Sequence, residues 1–173
     1  MRASEAVALD RDDVDWKDGV LTIRRTKFGK SRLVPLHSST GKALRHYAGE
    51  RDRLHPRPRT PAFFVAERGT RFTLCSAEYH FAKVSQRAGL RTLIRGRRQG
   101  HGPRLHDLRH RFAVKTLIRW YRAGRDVERE LPKLSTYLGH VHVNDTYWYL
   151  EAVPELLQLA TERLMDQHPG EPS

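Results

Sequence analysis

The sequence predicts an α+β fold, mainly α: a helical domain with a small three-stranded antiparallel sheet on one edge. Three observations predict it. Two runs near the start, Val20–Arg24 and Ser31–Leu36, have strand composition and are joined by a short link containing Gly29. A third such run, Ala62-Phe63-Phe64-Val65-Ala66, supplies the last strand. Most of the remaining chain carries apolar residues at spacings of three and four, between capping and stop residues.

Taken in order, Arg2-Ala3-Ser4-Glu5-Ala6-Val7-Ala8-Leu9 has helical spacing and stops at the Asp-rich stretch from Asp10 to Asp15. Its first turn is also the first turn of the chain, so it is expected to fray. The strand Val20–Arg24 turns through Thr26–Lys30 into Ser31–Leu36, where Pro35 marks an edge strand or a strand end. Ser38 or Ser39 caps a helix running to about Leu54, with Ala43, Leu44, Tyr47 and Ala48 as its apolar positions. Prolines 56, 58 and 61 stiffen the connection to the third strand. Ser76 caps a helix to Ala88, which Gly89 ends, and Arg91 to Arg104 is a Gly/Arg-rich loop. His106–Tyr121 reads as a helix whose buried face holds Leu108, Phe112, Ala113, Thr116 and Leu117, with Gly124 beyond its end. Asp126 and Pro132 punctuate short helices through Leu138, and a helical turn holds Asn144–Leu150. Pro154 opens a last helix to about Asp166, with Leu156, Leu157, Leu159, Ala160 and Leu164 apolar. The expectation is one domain over residues 1–167 and a flexible polar tail over 168–173.

The chain has 173 residues, with 32 Lys+Arg against 20 Asp+Glu and a formal charge of +12. Length is sufficient for a real core. The arginines cluster, which points to a polyanion partner held by phosphate contacts rather than to a generally basic surface. Cys75 is the single cysteine, so no intramolecular disulfide forms. No apolar run approaches the roughly 18 residues of a membrane span, and Met1–Glu5 carries no apolar signal region. A soluble, cytoplasmic protein with no membrane partner is expected.

The last third carries the chemistry. His106 and Arg109 stand at i and i+3 and share a face at a helix start, where anions are favoured. Arg109 can hold two phosphate oxygens at once. Alone, the pair also fits the surface of a basic helix. His110 follows His106 by four residues, and such a pair can bind zinc with His140 or His142. No Cys or Glu stands at ligand spacing nearby, so acid–base use is the better reading and no metal is expected. Leu138-Gly139-His140 places a histidine behind a glycine able to end a helix with positive φ. Tyr147, Trp148 and Tyr149 follow, and two tyrosines in three residues cannot both face inward on a helix, so one hydroxyl should face a cleft. A phenol titrates near roughly 10 and needs neighbouring cations to attack as phenolate. Lys27 and Lys30, by composition equal candidates, stand at the hairpin link, where an ammonium can protonate a leaving oxygen.

Together these residues resemble the tyrosine recombinase, or phage integrase, family. Arg2-Ala3-Ser4-Glu5-Ala6-Val7-Ala8-Leu9 resembles the family's first arginine box, and Asp13-Val14-Asp15 the short acidic motif after it. Thr26-Lys27-Phe28-Gly29-Lys30 through Leu36 resembles the family hairpin, with its lysine on Lys27. Leu105-His106-Asp107-Leu108-Arg109-His110-Arg111-Phe112-Ala113 resembles the second box. Leu138-Gly139-His140 followed by Tyr149 resembles the third box and the nucleophile, and the distance from His140 assigns Tyr149 over Tyr147.

The resemblance implies a catalytic set of Arg2, Lys27, His106, Arg109, His140 and Tyr149. Tyr149 attacks the scissile phosphate of double-stranded DNA and forms a 3′-phosphotyrosyl bond. Arg2, Arg109 and His140 stabilise charge on the non-bridging oxygens, Lys27 protonates the departing 5′-hydroxyl, and His106 assists proton transfer. Bond energy is conserved, so no cofactor is implied. Lys30, Arg91, Arg95, Arg97, Arg98 and Arg104 are the candidate DNA contacts. Family members act as homo-oligomers, tetramers on paired DNA sites, and the apolar stripe Leu156–Leu164 can serve a neighbour or pack on its own domain. The family's preceding helical DNA-binding domain and the residues before its first arginine have no counterpart ahead of Met1. Weak or absent recombination by this chain alone is therefore expected. A DNA-binding module without catalysis and a type IB topoisomerase are the alternatives.

Overall fold

The structure is a computed structural model. It describes residues 1–24, 31–92, 102–140, 142, 144–151 and 154–167, with backbone alone at 150, 151 and 162–167. The chain divides into two compact units, residues 1–105 and 106–173.

The first unit opens with helix α1, Ala3–Ala8. Six residues cannot sustain a helix alone, and both ends are tied. The Arg2 backbone N–H donates to Glu5 at 2.6 Å. At the other end the Arg71 guanidinium donates to the carbonyls of Val7, Ala8 and Leu9 at 3.3, 2.9 and 3.2 Å, placing positive charge where the helix exposes its acceptors. Three antiparallel strands follow, β1 (Val14–Asp15), β2 (Val20–Ile23) and β3 (Arg32–Pro35), in the order β1-β2-β3. The Asp15 carboxylate accepts from the N–H groups of Lys17 and Asp18, both at 2.9 Å, and so shapes the β1–β2 turn. Leu21 stands opposite Val34, and together with Ile23 they face inward, while Leu33 on the other face is exposed. Pro35 ends the outer strand, where its missing donor costs no ladder bond.

A mainly helical fold with a three-stranded antiparallel sheet is what the sequence predicts, but the third strand is a different segment. Residues 62–66 do not join the sheet. Phe63 donates its N–H to Leu9 and Arg11 donates to Pro61, so this segment follows the chain just after α1. Helix α2, Ser38–Leu54, holds it from the other side. The buried Arg51 donates to the Phe63 carbonyl at 2.9 Å, and the Val65 N–H donates to the Tyr47 hydroxyl at 3.0 Å. Two caps also differ from expectation. His37 rather than a serine precedes α2 and accepts from the Ser39 N–H. Thr73 caps α3, Leu74–Arg87, by accepting from Ser76, so that helix starts earlier than a cap at Ser76 allows.

Near the end of this unit, Gly102 takes a conformation closed to side chains. Its φ is +143°, and an added Cβ would lie 2.8 Å from both the Arg91 Cα and the Leu90 carbonyl oxygen. Backbone cannot yield cheaply, so Gly102→Ala is expected to destabilise the protein by about 1–3 kcal/mol. Thermal or urea unfolding measures it, and an unchanged midpoint contradicts the assignment.

The second unit is helical: α4 (Leu105–Arg122), α5 (Val127–Leu138), α6 (Asn144–Glu151) and α7 (Pro154–Gln167). Its core joins Ala113 and Leu117 of α4, Val127, Leu131, Leu134 and Leu138 of α5, Tyr149 of α6 and Leu156 of α7. Here too the sequence reading needs correction. Leu108 and Phe112 are exposed, because the buried stripe of α4 runs through Ala113 and Leu117, with Val114, Ile118 and Tyr121 packed beside it. Pro132 does not break α5 into short helices. It stands on the exposed face, and the buried stripe Val127, Leu131, Leu134, Ser135, Leu138 runs past it. Leu156 packs within its own unit while Leu157 is exposed. No helix among the described residues is long and apolar enough to cross a membrane.

Candidate active site

The site in the second unit begins with the way α5 ends. Gly139 takes φ +76° and ψ +40°, the left-handed conformation a side chain disfavours. That bend turns the N–H groups of Gly139 and His140 back onto the Ser135 carbonyl, at 2.9 and 3.0 Å, and Gly139 also reaches Thr136. The Leu138 carbonyl is left pointing out of the helix end, and the Arg109 guanidinium from α4 donates to it through Nη1. One backbone device therefore sets His140 and anchors Arg109.

Helix α6 delivers Tyr149 to the same place. Of the aromatic triplet, Tyr147 and Trp148 are exposed and Tyr149 is the inward member, with 3% of its surface accessible. A cleft-facing hydroxyl was the expectation for one tyrosine; Tyr149 instead packs its ring in the core and keeps its oxygen among polar groups. The hydroxyl lies 3.1 Å from Nδ1 of His110. Burial raises its pKa above the ordinary phenol value, while the positive charge and hydrogen bond of Arg109 pull it back without cancelling the rise. His140 lies parallel to the Tyr149 ring, with centroids 6.3 Å apart and planes 9° from each other. Its Nδ1 stands 2.8 Å from Oγ1 of the fully buried Thr146, which fixes the imidazole's rotation. His106, exposed in the first turn of α4, sets its ring edgewise on His110 at 4.6 Å.

Arg109, His140 and Tyr149 thus meet, with His106 one ring away. Two participants went unassigned in the sequence. His110 is adjacent to Arg109 and was legible only as a metal-ligand candidate; Thr146, six residues after His140, gave no signal. Arg2 belongs to the first unit, where its Nη1 lies 3.3 Å from Glu5. Glu5 also accepts both terminal nitrogens of Arg32, at 3.1 and 2.7 Å. Burial alone would raise the Glu5 carboxyl's pKa, but Arg32 and the Arg2 backbone outweigh it and hold it below the usual range. Lys27, Lys30, Arg95, Arg97 and Arg98 lie outside the described residues, as does the tail over 168–173. Arg91 donates to the Pro103 carbonyl at 3.1 Å, and Arg104 is exposed.

An arginine, histidines and a tyrosine brought together in this way can hold and attack a phosphodiester. Residues 1–155 match the phage integrase family, and the chain belongs to that family. It is 51% identical over 166 residues to a protein of Sinorhizobium fredii named integrase/recombinase y4rB, covering 95% of this chain and 51% of that one. It is 32% identical to the tyrosine recombinase XerD of Ralstonia nicotianae, covering 91% of this chain and 46% of the relative. Among solved structures, the XerA recombinase superposes with a TM-score of 0.69 at 25% identity, over 99% of this chain and 54% of that one. The XerH site-specific recombinase, bound to its palindromic difH substrate after cleavage, superposes with a TM-score of 0.65 at 25% identity, over 93% and 41% of the two chains. The chain spans about half the length of these relatives.

Proposed function

We propose that this chain is the catalytic part of a site-specific DNA recombinase that cuts and rejoins strands through a 3′-phosphotyrosyl bond on Tyr149. The observation that carries the reading is the convergence of Arg109, His110 and His140 on Tyr149 in a family member. Arg109 and His140 are placed to stabilise charge developing on the non-bridging oxygens, an oxyanion-hole role. Arg2 adds a second guanidinium, Lys27 protonates the departing 5′-hydroxyl, and His106 assists proton movement. The 5′-hydroxyl of another strand then attacks the phosphotyrosine and restores a phosphodiester. The XerH complex with its difH substrate supports double-stranded DNA as the partner, and the tetramer on paired sites that the family resemblance implies is the assembly proposed.

The test is covalent capture. Nicked duplexes of randomised sequence lose a short fragment on cleavage, so attack becomes irreversible and the DNA stays on the protein through denaturing electrophoresis. A phosphotyrosyl adduct at Tyr149 is the expected result. Salt-sensitive binding without any adduct supports the DNA-binding reading instead. Relaxation of supercoiled DNA by the unpaired chain supports a topoisomerase.

A further inference from the structure

We infer that His110 is the group that takes the proton from the Tyr149 hydroxyl as it attacks the phosphate. The inference rests on the proposal that Tyr149 is the nucleophile and adds a member that the resemblance to the family does not assign.

The surroundings of the hydroxyl lead to it. The His110 Nδ1 lies 3.1 Å from the hydroxyl, within direct transfer range. The Arg109 guanidinium lowers that hydroxyl's pKa by its charge and hydrogen bonding, and because a guanidinium can only donate, the phenolic O–H is left for an acceptor. His110 with its proton on Nε2 presents Nδ1 as that acceptor. The other two histidines are arranged differently. His140 lies flat along the phenol and directs Nδ1 to Thr146. His106 sets its ring edge-on to that of His110, with centroids 4.6 Å apart.

The electron and proton count closes. The Tyr149 O–H bond breaks, its proton passes to His110 Nδ1, and the O–P bond forms. The P–O5′ bond breaks as that oxygen receives a proton from Lys27. His110 becomes an imidazolium and Lys27 a neutral amine, and rejoining reverses both transfers without a co-reactant. Among the described residues, the charged and titratable groups near His110 include Arg109 beside it, Asp107 one turn back on the same helix, His106 and Tyr149, and His140 stacks on that tyrosine. Arg109 opposes a cation at His110, but the imidazolium forms as the phosphorane gains negative charge beside both.

The experiment separates the two proton transfers. DNA trapped by the wild-type chain from the randomised nicked library is sequenced and resynthesised with a 5′-bridging sulfur at the scissile phosphate. A thiolate leaves without a proton, whereas the phenol must still lose one. His110→Gln is expected to slow adduct formation by at least about 100-fold on the oxygen substrate, and by a similar factor on the sulfur substrate. Lys27→Ala is expected to recover on the sulfur substrate. Near wild-type cleavage by His110→Gln, or its full recovery with sulfur, overturns the inference. A wild-type chain that forms no adduct refutes the nucleophile itself. In that case, or if His110→Gln fails to fold, nitrogen-15 NMR of the wild-type chain decides about His110. An unprotonated Nδ1 whose signal shifts in Tyr149→Phe is the expected result, and an Nδ1–H tautomer overturns it.

Discussion

Tyr149→Phe is expected to abolish the covalent DNA adduct completely while leaving DNA binding and its salt dependence in place. The substitution removes one oxygen. The ring keeps its place beside Leu117, Leu131 and Leu138 in the helical core, so no cavity opens. The lost hydrogen bonds to His110 and Arg109 cost about 1 kcal/mol each at most, because both partners belong to half-buried residues that water can reach. The proposed chemistry, by contrast, loses its nucleophile, and phenylalanine offers no substitute. Under the proposed function, binding rests on phosphate contacts by arginine and lysine and is expected to fall with salt as before. The readouts are a denaturing gel for the adduct and a filter-binding titration at several salt concentrations. Tyr147 is the internal control, since it is exposed and two residues away. An adduct that survives in Tyr149→Phe and vanishes in Tyr147→Phe reverses the assignment.

The burial of Tyr149 shapes what cleavage requires. With 3% of the residue accessible, the hydroxyl must gain an approach to phosphate before it can attack. A phenol at its ordinary pKa is already neutral near pH 7, and the upward shift makes its ionisation harder still. On the proposed role of Tyr149 as nucleophile, both features describe a resting state and place weight on a base and on Arg109 during the reaction.

The fold was legible wherever local chemistry decides. Gly139 reads as a helix end because φ +76° suits glycine, and Leu21, Ile23 and Val34 read as an inward face because side chains alternate along a strand. The strand Val14–Asp15 was not legible, since two residues carry no period. The composition of residues 62–66 suits a strand, yet tertiary bonds to Leu9, Tyr47 and Arg51 place the segment elsewhere. Leu108 and Phe112 share a helical stripe with Thr116, but the neighbouring stripe through Ala113 and Leu117 met the partner helices. The same distinction holds at the site. Arg109, His140 and Tyr149 stand out by type and spacing. The pairing of His110 with Tyr149 depends on how α4 faces α6, and the anchoring of Arg109 depends on which carbonyl α5 leaves open, and neither is written in the spacing.

Arg109→Lys, which conserves charge, is expected to lower the rate of adduct formation at saturating DNA by about 100- to 1,000-fold, the loss typical of one donor removed from an oxyanion site. The reason is geometric. Arg109 does two things with one planar group: Nη1 meets the Leu138 carbonyl at the end of α5, and the guanidinium also reaches the Tyr149 hydroxyl. The first contact holds the fork, leaving the rest of it beside the Tyr149 hydroxyl and, under the proposed mechanism, beside the phosphate which that hydroxyl attacks. A lysine carries a single tetrahedral ammonium. If it bonds Leu138 it cannot cover the phosphate oxygens with the same geometry, and if it turns to the phosphate, Leu138 loses its charged donor. Either choice keeps the charge and loses the orientation, so binding should change far less than chemistry. That split is the informative result. An equal loss in affinity and rate would mean that Arg109 serves only as a point charge for DNA, and a rate within a few-fold of wild type would remove it from the catalytic set.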